Sequence, residues 1–323
     1  MTHRSALLAS GFGLGCLVLI SLLVGAGDLS AATIVSGRLS ADDLKLLFVS
    51  RLPRTLATLL SGAGLAVSGL IMQMLSSNRF VEPSTVGVTE SAAFGMLTVT
   101  LLAPAMPVFA KMLVAAGFGL AGGVLFMAIL ARLRLRTGLI VPLVGLILSG
   151  IIGAGTSFLA YRYDLMQSLG AWMTGDFSMV LAGRYELLWI AFALTGFAVL
   201  AADRFTIAGM GRDVAIGLGL SYGQTVFLGL VLVSLVSAVT IVSVGAIPFV
   251  GLVVPNLVSI LAGDNGRRTV PYVALSGAAL VLACDIVGRI VRAPYEIPVG
   301  TTMGLIGSLV FLSLLFSGRT ARG

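Results

Sequence analysis

Apolar residues fill this chain in long blocks, and the polar breaks between them are short and rich in glycine, proline or arginine. Stretches at 6–26, 56–75, 86–103, 108–131, 139–160, 187–201, 226–246, 247–262, 270–287 and 300–316 are apolar nearly all round. They approach the ~20 residues a helix needs to cross a bilayer, allowing for tilt and for shorter helices. Ten such segments predict an all-α, polytopic membrane protein organised as one transmembrane domain over 1–323. The first block is longer than the ~7–15-residue core of a secretory signal, and no cleavage site follows it, so it reads as the first membrane helix. At 245–248 a glycine and a proline interrupt an apolar run too long for one helix, which splits it in two. The 161–184 stretch, with Trp172, is amphipathic and punctuated by glycine. It predicts a short interfacial or re-entrant helix on the outer side.

Composition agrees with the pattern. Hydrophobic residues make up 58% and charged residues 10% of 323 positions, and mean hydropathy is +1.09, more apolar surface than a soluble core could hide. Forty-one glycines suit helices that approach closely in lipid, where small-residue packing replaces the hydrophobic drive. Gly11-x-x-x-Gly15 and Gly119-x-x-x-Gly123 have the spacing of such contacts, a spacing that chance also supplies. Cys16 and Cys284 lie in apolar segments and His3 is the single histidine, so neither a disulfide framework nor a protein-built metal site is expected.

The net charge of +7 does not point to nucleic acid, because no basic run is interleaved with aromatic residues. Ten crossings put both termini on one side, with Arg4, Arg132, Arg134, Arg136, Arg204, Arg212, Arg267, Arg268, Arg319 and Arg322, and the positive-inside rule makes that side the cytoplasm. The outer side still carries Arg38, Lys45, Arg51, Arg54, Arg184, Arg289 and Arg292.

Three function classes compete. An ATP-hydrolysing transporter needs a phosphate-cradling G-x-x-x-x-G-K-[ST] loop, yet the two lysines, Lys45 and Lys111, do not follow glycine. An ion-coupled secondary transporter needs ionisable residues deep in its helices, where only Glu90 and Asp285 are candidates, each near a predicted helix end. A membrane enzyme needs a nucleophile with its base, or paired metal-binding carboxylates, and none stands out.

The run Arg51-Leu52-Pro53-Arg54-Thr55-Leu56-Ala57, then Ser61-Gly62-Ala63 and Ser68-Gly69-x-x-x-Gln73, resembles the opening signature of the iron-siderophore and cobalamin (FecCD-type) permeases of ABC importers. Gly245-Ala246-Ile247-Pro248-Phe249-Val250-Gly251-Leu252-Val253-Val254-Pro255-Asn256 is similar to that family's eighth-helix block. Asp264-Asn265-Gly266-Arg267-Arg268, Asp285-Ile286-Val287-Gly288-Arg289 and Glu296-Ile297-Pro298-Val299-Gly300 resemble its later signatures. Asn78-Arg79-Phe80-Val81-Glu82-Pro83-Ser84-Thr85-Val86-Gly87 is similar to the permeases for catecholate-type siderophores. Asn256, Ser259, Pro248 and Leu309 depart from residues frequent in the family, which leaves cobalamin or heme open as alternative cargo.

The resemblance implies a type II ABC importer permease fold and a multi-pass protein of the cytoplasmic membrane. It further implies work with two copies of an ABC ATPase, a second permease copy (identical or paralogous), and a periplasmic or lipid-anchored substrate-binding protein, with no cofactor. It also assigns roles. A cytoplasmic coupling loop at about 209–222 would meet the ATPase, with Ile216, Leu218 and Leu220 in apolar contact, Arg212 and Asp213 setting register, and Gly211 and Gly219 shaping the turns. A plain connector would not need apolar residues exposed to water. Arg51, Arg54 and Arg289 would dock the binding protein; by spacing alone the first two also read as snorkelling anchors. Asp285, one turn from Arg289, would orient it or serve as a polar partner between helices. Ser149, Gly153, Thr156 and Ser157 would line the path between two copies, although small residues also simply pack helices.

Overall fold

The computed structural model describes residues 3–25, 40–133, 140–183, 185–263, 266–293 and 295–316. Arg38, Arg134, Arg136, Arg184, Arg319 and Arg322 lie outside the described residues, as do Asp264 and Asn265 and the side chains of Arg4, Arg267 and Arg268. Every regular element is helical among the described residues. They are α1 His3–Leu23, α2 Ala41–Leu46, α3 Leu52–Leu75, α4 Val88–Leu102, α5 Val108–Arg132, α6 Ile140–Arg162, α7 Met166–Met173, α8 Leu188–Leu200, α9 Ala202–Gly209, α10 Arg212–Gly217, α11 Tyr222–Val244, α12 Val250–Ala262, α13 Gly266–Val291 and α14 Val299–Phe316.

By length and composition, five helical stretches can cross a membrane: Ala41–Leu75, Val108–Arg132, Ile140–Arg162, Tyr222–Val244 and Thr269–Val291. A sixth consists of α8 and α9, bent by 62° at their junction, and four shorter apolar helices complete the set: Ser10–Leu23, Val88–Leu102, Val250–Leu261 and Val299–Leu314. An apolar helix or bent helix pair stands at each of the ten expected segments, with shifted boundaries. The second begins well before residue 56: Ser40 and Asp43 form a capping box that starts α2, and a single π turn at Leu47–Arg51 carries the chain into α3. Pro53 sits in the first turn of α3, where a missing N–H costs least. The expected outer amphipathic helix is also shorter than 161–184, since α6 runs on to Arg162 and only Met166–Met173 forms the separate helix α7.

α3 is the central post, buried along most of its length against α13, α12, α11 and α8. Two glycine pairs allow the approach. A Cβ on Gly62 would strike the Gly277 carbonyl of α13, and one on Gly69 would overlap the Gly251 backbone of α12. In lipid this backbone proximity supplies the dispersion that apolar exclusion does not. Gly119 and Gly123 likewise pack α5 against Val88 of α4 and Leu230 of α11, whereas Gly11 and Gly15 face open space.

The break at 245–248 is real. α11 ends at Gly245, whose positive φ of 86° a side chain would resist, and α12 starts after Phe249, itself left-handed at φ 65°. The linker is pinned by backbone bonds from the Ala246 amide to the Trp172 carbonyl (2.9 Å) and from the Asp176 amide to the Val244 carbonyl (2.8 Å), and the Gly300 amide at the start of α14 ties to the same stretch at the Gly175 carbonyl (2.8 Å). The stretch around α7 thereby becomes a buckle across the irregular joint.

Candidate functional site

Three features collect the residues singled out from the sequence. The first is the connector after the bend. Gly211 (φ 105°) and Gly219 (φ 79°) have open space around them, so their role is conformational: each supplies a left-handed turn that bounds α10. The Leu220 amide closes α10 by donating to the Ala215 carbonyl at 2.9 Å, and Ala215 is fully buried beneath it. Ile216 and Leu218 remain 53% and 64% exposed beside exposed Met210 and Val214, with Arg212 and Asp213 also at the surface. Leu220 differs from expectation. It packs back against the core, because the turn at Gly219 reverses the chain into α11. The base of the connector is firm: α9 packs on α3, and the Ser77 hydroxyl donates to the Gly209 carbonyl at 3.1 Å.

The second feature is a buried ionic cluster where α1, α3 and α13 meet. Arg54 pairs with Asp285 at 2.8 Å and Glu296 at 2.7 Å, and Arg289 pairs with Asp285 at 2.7 Å. Arg289 also donates to the Ser21 and Val24 carbonyls and the Ser21 hydroxyl, while Arg51 donates to the Leu22 and Leu23 carbonyls. The two arginines thus satisfy the terminal carbonyls of α1, a favourable place for cations. The exposure that docking assumes is missing at two of the three positions: Arg51 is 5% and Arg289 6% exposed, because those carbonyls and Asp285 need donors. Asp285 orients Arg289, as expected from their one-turn separation, and holds Arg54 as well.

The third feature is the face of α6. The Ser149 hydroxyl reaches the Ser84 carbonyl at 3.4 Å, Gly153 lies against Glu90, and buried Thr156 bonds its own helix at Ile152. These three face α4 and the 3-10 turn before it, and Ser157, one turn beyond Gly153, lies exposed at the flank of the same side. The four residues thus run along one side of α6, from buried to exposed.

Sequence reasoning missed Glu82. Its carboxylate lies buried at the start of α12, accepting from the Phe249 amide at 3.1 Å and the Ser84 hydroxyl at 2.6 Å, with the Gly251 and Leu252 amides also directed to it. Burial pushes this carboxyl up from its ordinary value, and those bonds oppose the shift. The signal was Glu82 standing 167 positions before a glycine- and proline-broken helix start, a distance no local pattern bridges. Nearby, Asn256 donates to the Arg79 carbonyl at 2.9 Å and Arg79 donates to the Ser259 hydroxyl at 3.1 Å, so two of the atypical positions hold the same loop.

The apolar helices are those of a multi-pass membrane protein, and residues 13–317 match the FecCD transport family, to which the chain belongs. It is a multi-pass permease of the ABC-importer class, in which a separate subunit hydrolyses ATP. It is similar to the petrobactin import system permease protein YclN of Bacillus subtilis, 44% identical over 93% of this chain and 94% of that protein. The ferric-anguibactin transport system permease protein FatD of Vibrio anguillarum is 42% identical over 85% and 88% of the two chains. A solved structure described as an inward-facing conformation of a metal-chelate type ABC transporter superposes with a TM-score of 0.80 at 26% identity, over 98% of this chain and 99% of that one.

Proposed function

We propose that this permease moves a ferric siderophore chelate across the cytoplasmic membrane, with both termini in the cytoplasm. It receives the chelate from a substrate-binding protein and is driven by two ATPase copies; a second permease copy, identical or paralogous, completes the pathway. The cargo is supported by the two relatives named for petrobactin and ferric-anguibactin at 44% and 42% identity. The orientation is supported by Arg132, Arg204 and Arg212, which lie at helix ends that ten crossings put with the termini.

The observation that carries the drive mechanism is the exposed pair Ile216 and Leu218 on a connector whose base is fixed. Apolar side chains held outward on a short rigid helix fit a groove on a partner, and α9 turns a push there into motion of α3 and α11. Arg212 and Asp213 flank the pair and set its register. Ser149, Gly153 and Thr156 belong to the wall that shifts when α6 moves, and Ser157 faces the second copy.

The test is reconstitution in proteoliposomes with the cognate ATPase and binding protein, following uptake of a radiolabelled ferric chelate and, separately, of cobalamin. Chelate uptake should require ATP, both partners and no pH gradient. Uptake without the ATPase, or its arrest when the gradient is collapsed with ATP present, would sink the drive mechanism; cobalamin uptake in place of chelate would sink the cargo. Leu218→Asp and Ile216→Asp should abolish ATPase copurification without affecting insertion, since charge in a buried apolar groove costs several kcal/mol.

A further inference from the structure

Beside the pinned linker lies a partly open cavity of about 260 Å³, walled by α3, α4, α7, α11, the start of α12 and the 3-10 turn at Pro83–Thr85. It is below the ~300–1,000 Å³ of sites that enclose whole drug-sized ligands, so it suits a small ion or one arm of a larger solute. Its polar lining is all oxygen: Glu82, Ser84, Thr89, Glu90, Ser237 and Thr240.

Most of those oxygens are spoken for. Glu82 is used by the start of α12, Ser84 donates to it, and the Thr240 hydroxyl donates to the Val236 carbonyl. Among the buried oxygens two are not: Glu90 Oε2 and Ser237 Oγ have no hydrogen-bond partner among the described residues, and Ser237 is 1% exposed. The half-buried Glu90 carboxyl is otherwise met by the Ser149 hydroxyl and its own backbone amide. A buried acid inside a membrane bundle is costly unless something positive or hydrogen-bonding meets it. Glu90 lies in the first turn of α4, where the helix end favours negative charge but does not satisfy this oxygen.

The vacant acceptors select their ligand. Calcium takes six to eight oxygen ligands and magnesium a strict octahedron, more than the lone pairs left on Glu90, Ser237, Thr89 and Thr240 supply. No group of three or more acidic, cysteine or histidine side chains fit to hold a metal occurs among the described residues. A primary ammonium carries three N–H donors in a compact head. Glu90 Oε2 and Ser237 Oγ accept two of them, and Thr240 Oγ1, whose own proton is already committed, has lone pairs for the third. The apolar remainder of the wall, Leu65, Met173, Ile241 and Ile247, suits a short carbon chain behind the ammonium.

We propose that this cavity is a binding site for a protonated primary amine, either a free ammonium-type ion or the amine end of a transported solute, held by Glu90 and Ser237. The cation compensates the buried carboxylate. It also bridges α4 to α11, so its arrival and departure are tied to the relative position of those helices. The free-ion source stands independently of the importer reading, and the solute source rests on it.

The test uses the whole permease in lipid discs, buffered on the alkaline side of neutrality. Thermal unfolding is followed in methylammonium chloride, tetramethylammonium chloride and sodium chloride at equal ionic strength. A ligand that binds the folded state raises the unfolding temperature by mass action. Methylammonium should raise it saturably, while tetramethylammonium, which has no N–H, and sodium should not. Glu90→Gln and Ser237→Ala should each weaken that response at least tenfold in midpoint concentration. Equal responses to the three salts, or an unchanged midpoint in both variants, overturn the proposal.

Should a variant fail to fold, the wild type alone decides. Discs should broaden the methyl proton resonance of methylammonium and not that of tetramethylammonium, and equal broadening overturns the site. Where Glu90→Gln folds, the source is read by uptake of two ferric chelates that differ by one free amine. Selective loss of the amine-bearing chelate in that variant assigns the site to the solute, and equal uptake of the two chelates, beside a saturable methylammonium response in the wild type, assigns it to a free ion. The salt comparison needs no ATPase or binding protein, so it can fail while the importer reading stands, and stand while that reading fails.

Discussion

Removing the Asp285 carboxylate should be among the most destabilising single changes in this protein. Asp285 is 2% exposed and is shared by two guanidinium groups, at 2.8 Å from Arg54 and 2.7 Å from Arg289. Arg54 keeps Glu296 at 2.7 Å when Asp285 is lost, whereas Arg289 is left with neutral acceptors from Ser21 and Val24. Breaking a buried pair from one side costs about 3–5 kcal/mol, because the remaining charge stays desolvated. At about 1.4 kcal/mol per tenfold, Asp285→Ala should lower the folded-to-unfolded ratio by two to nearly four powers of ten.

The assay is unfolding by sodium dodecyl sulfate in mixed micelles, read by the fluorescence of Trp172 and Trp189. Asp285→Asn, which keeps the shape and one acceptor, should fall between wild type and Asp285→Ala. The double variant Asp285→Ala/Arg289→Met should recover part of the loss, since it removes the stranded charge as well. If Asp285→Ala lies within about 0.5 kcal/mol of wild type, or the two changes in the double variant simply add, the cluster is not a coupled buried network and the reasoning fails.

Three further outcomes are expected. Gly62→Ala and Gly69→Ala should lower the unfolding midpoint in the same assay, because overpacking costs about 1–3 kcal/mol, whereas Gly11→Ala and Gly15→Ala, which meet nothing, should stay within about 0.5 kcal/mol of wild type. Glu82→Ala should destabilise more than Glu82→Gln, since glutamine can still accept from the Phe249 amide while alanine strands the start of α12; equal losses would show that charge alone matters there. For docking, Arg54→Glu and Arg51→Glu should slow association of the binding protein in a salt-dependent way only if these groups leave their internal partners. Unchanged association rates in well-folded variants would confine both to the role of internal ties.

Much of this protein was legible along the chain because its solvent is a bilayer. A membrane forces each crossing to satisfy its backbone within itself, so the number and places of the ten apolar segments follow from hydropathy alone. The split at 245–248 and the glycine-bounded connector were equally visible, because glycine and proline act through the local backbone.

The assignment of arginines was not. Arg51, Arg54 and Arg289 read as outer cations from their positions near helix ends, yet what they meet is fixed by α1 and by acids 231 and 242 positions away from Arg54. The same holds for Glu82 at the start of α12, for Leu220 packing back on the core, and for the exposure of Ser157 one turn from Gly153 while Ser149 and Thr156 are buried. In these helices apolar residues face both lipid and neighbour, so the sequence carries little of the one-sided pattern that marks a buried face in water. Which face is inside, and which charge finds which partner, is decided only when backbones meet at contacts such as Gly62 with Gly277 and Gly69 with Gly251.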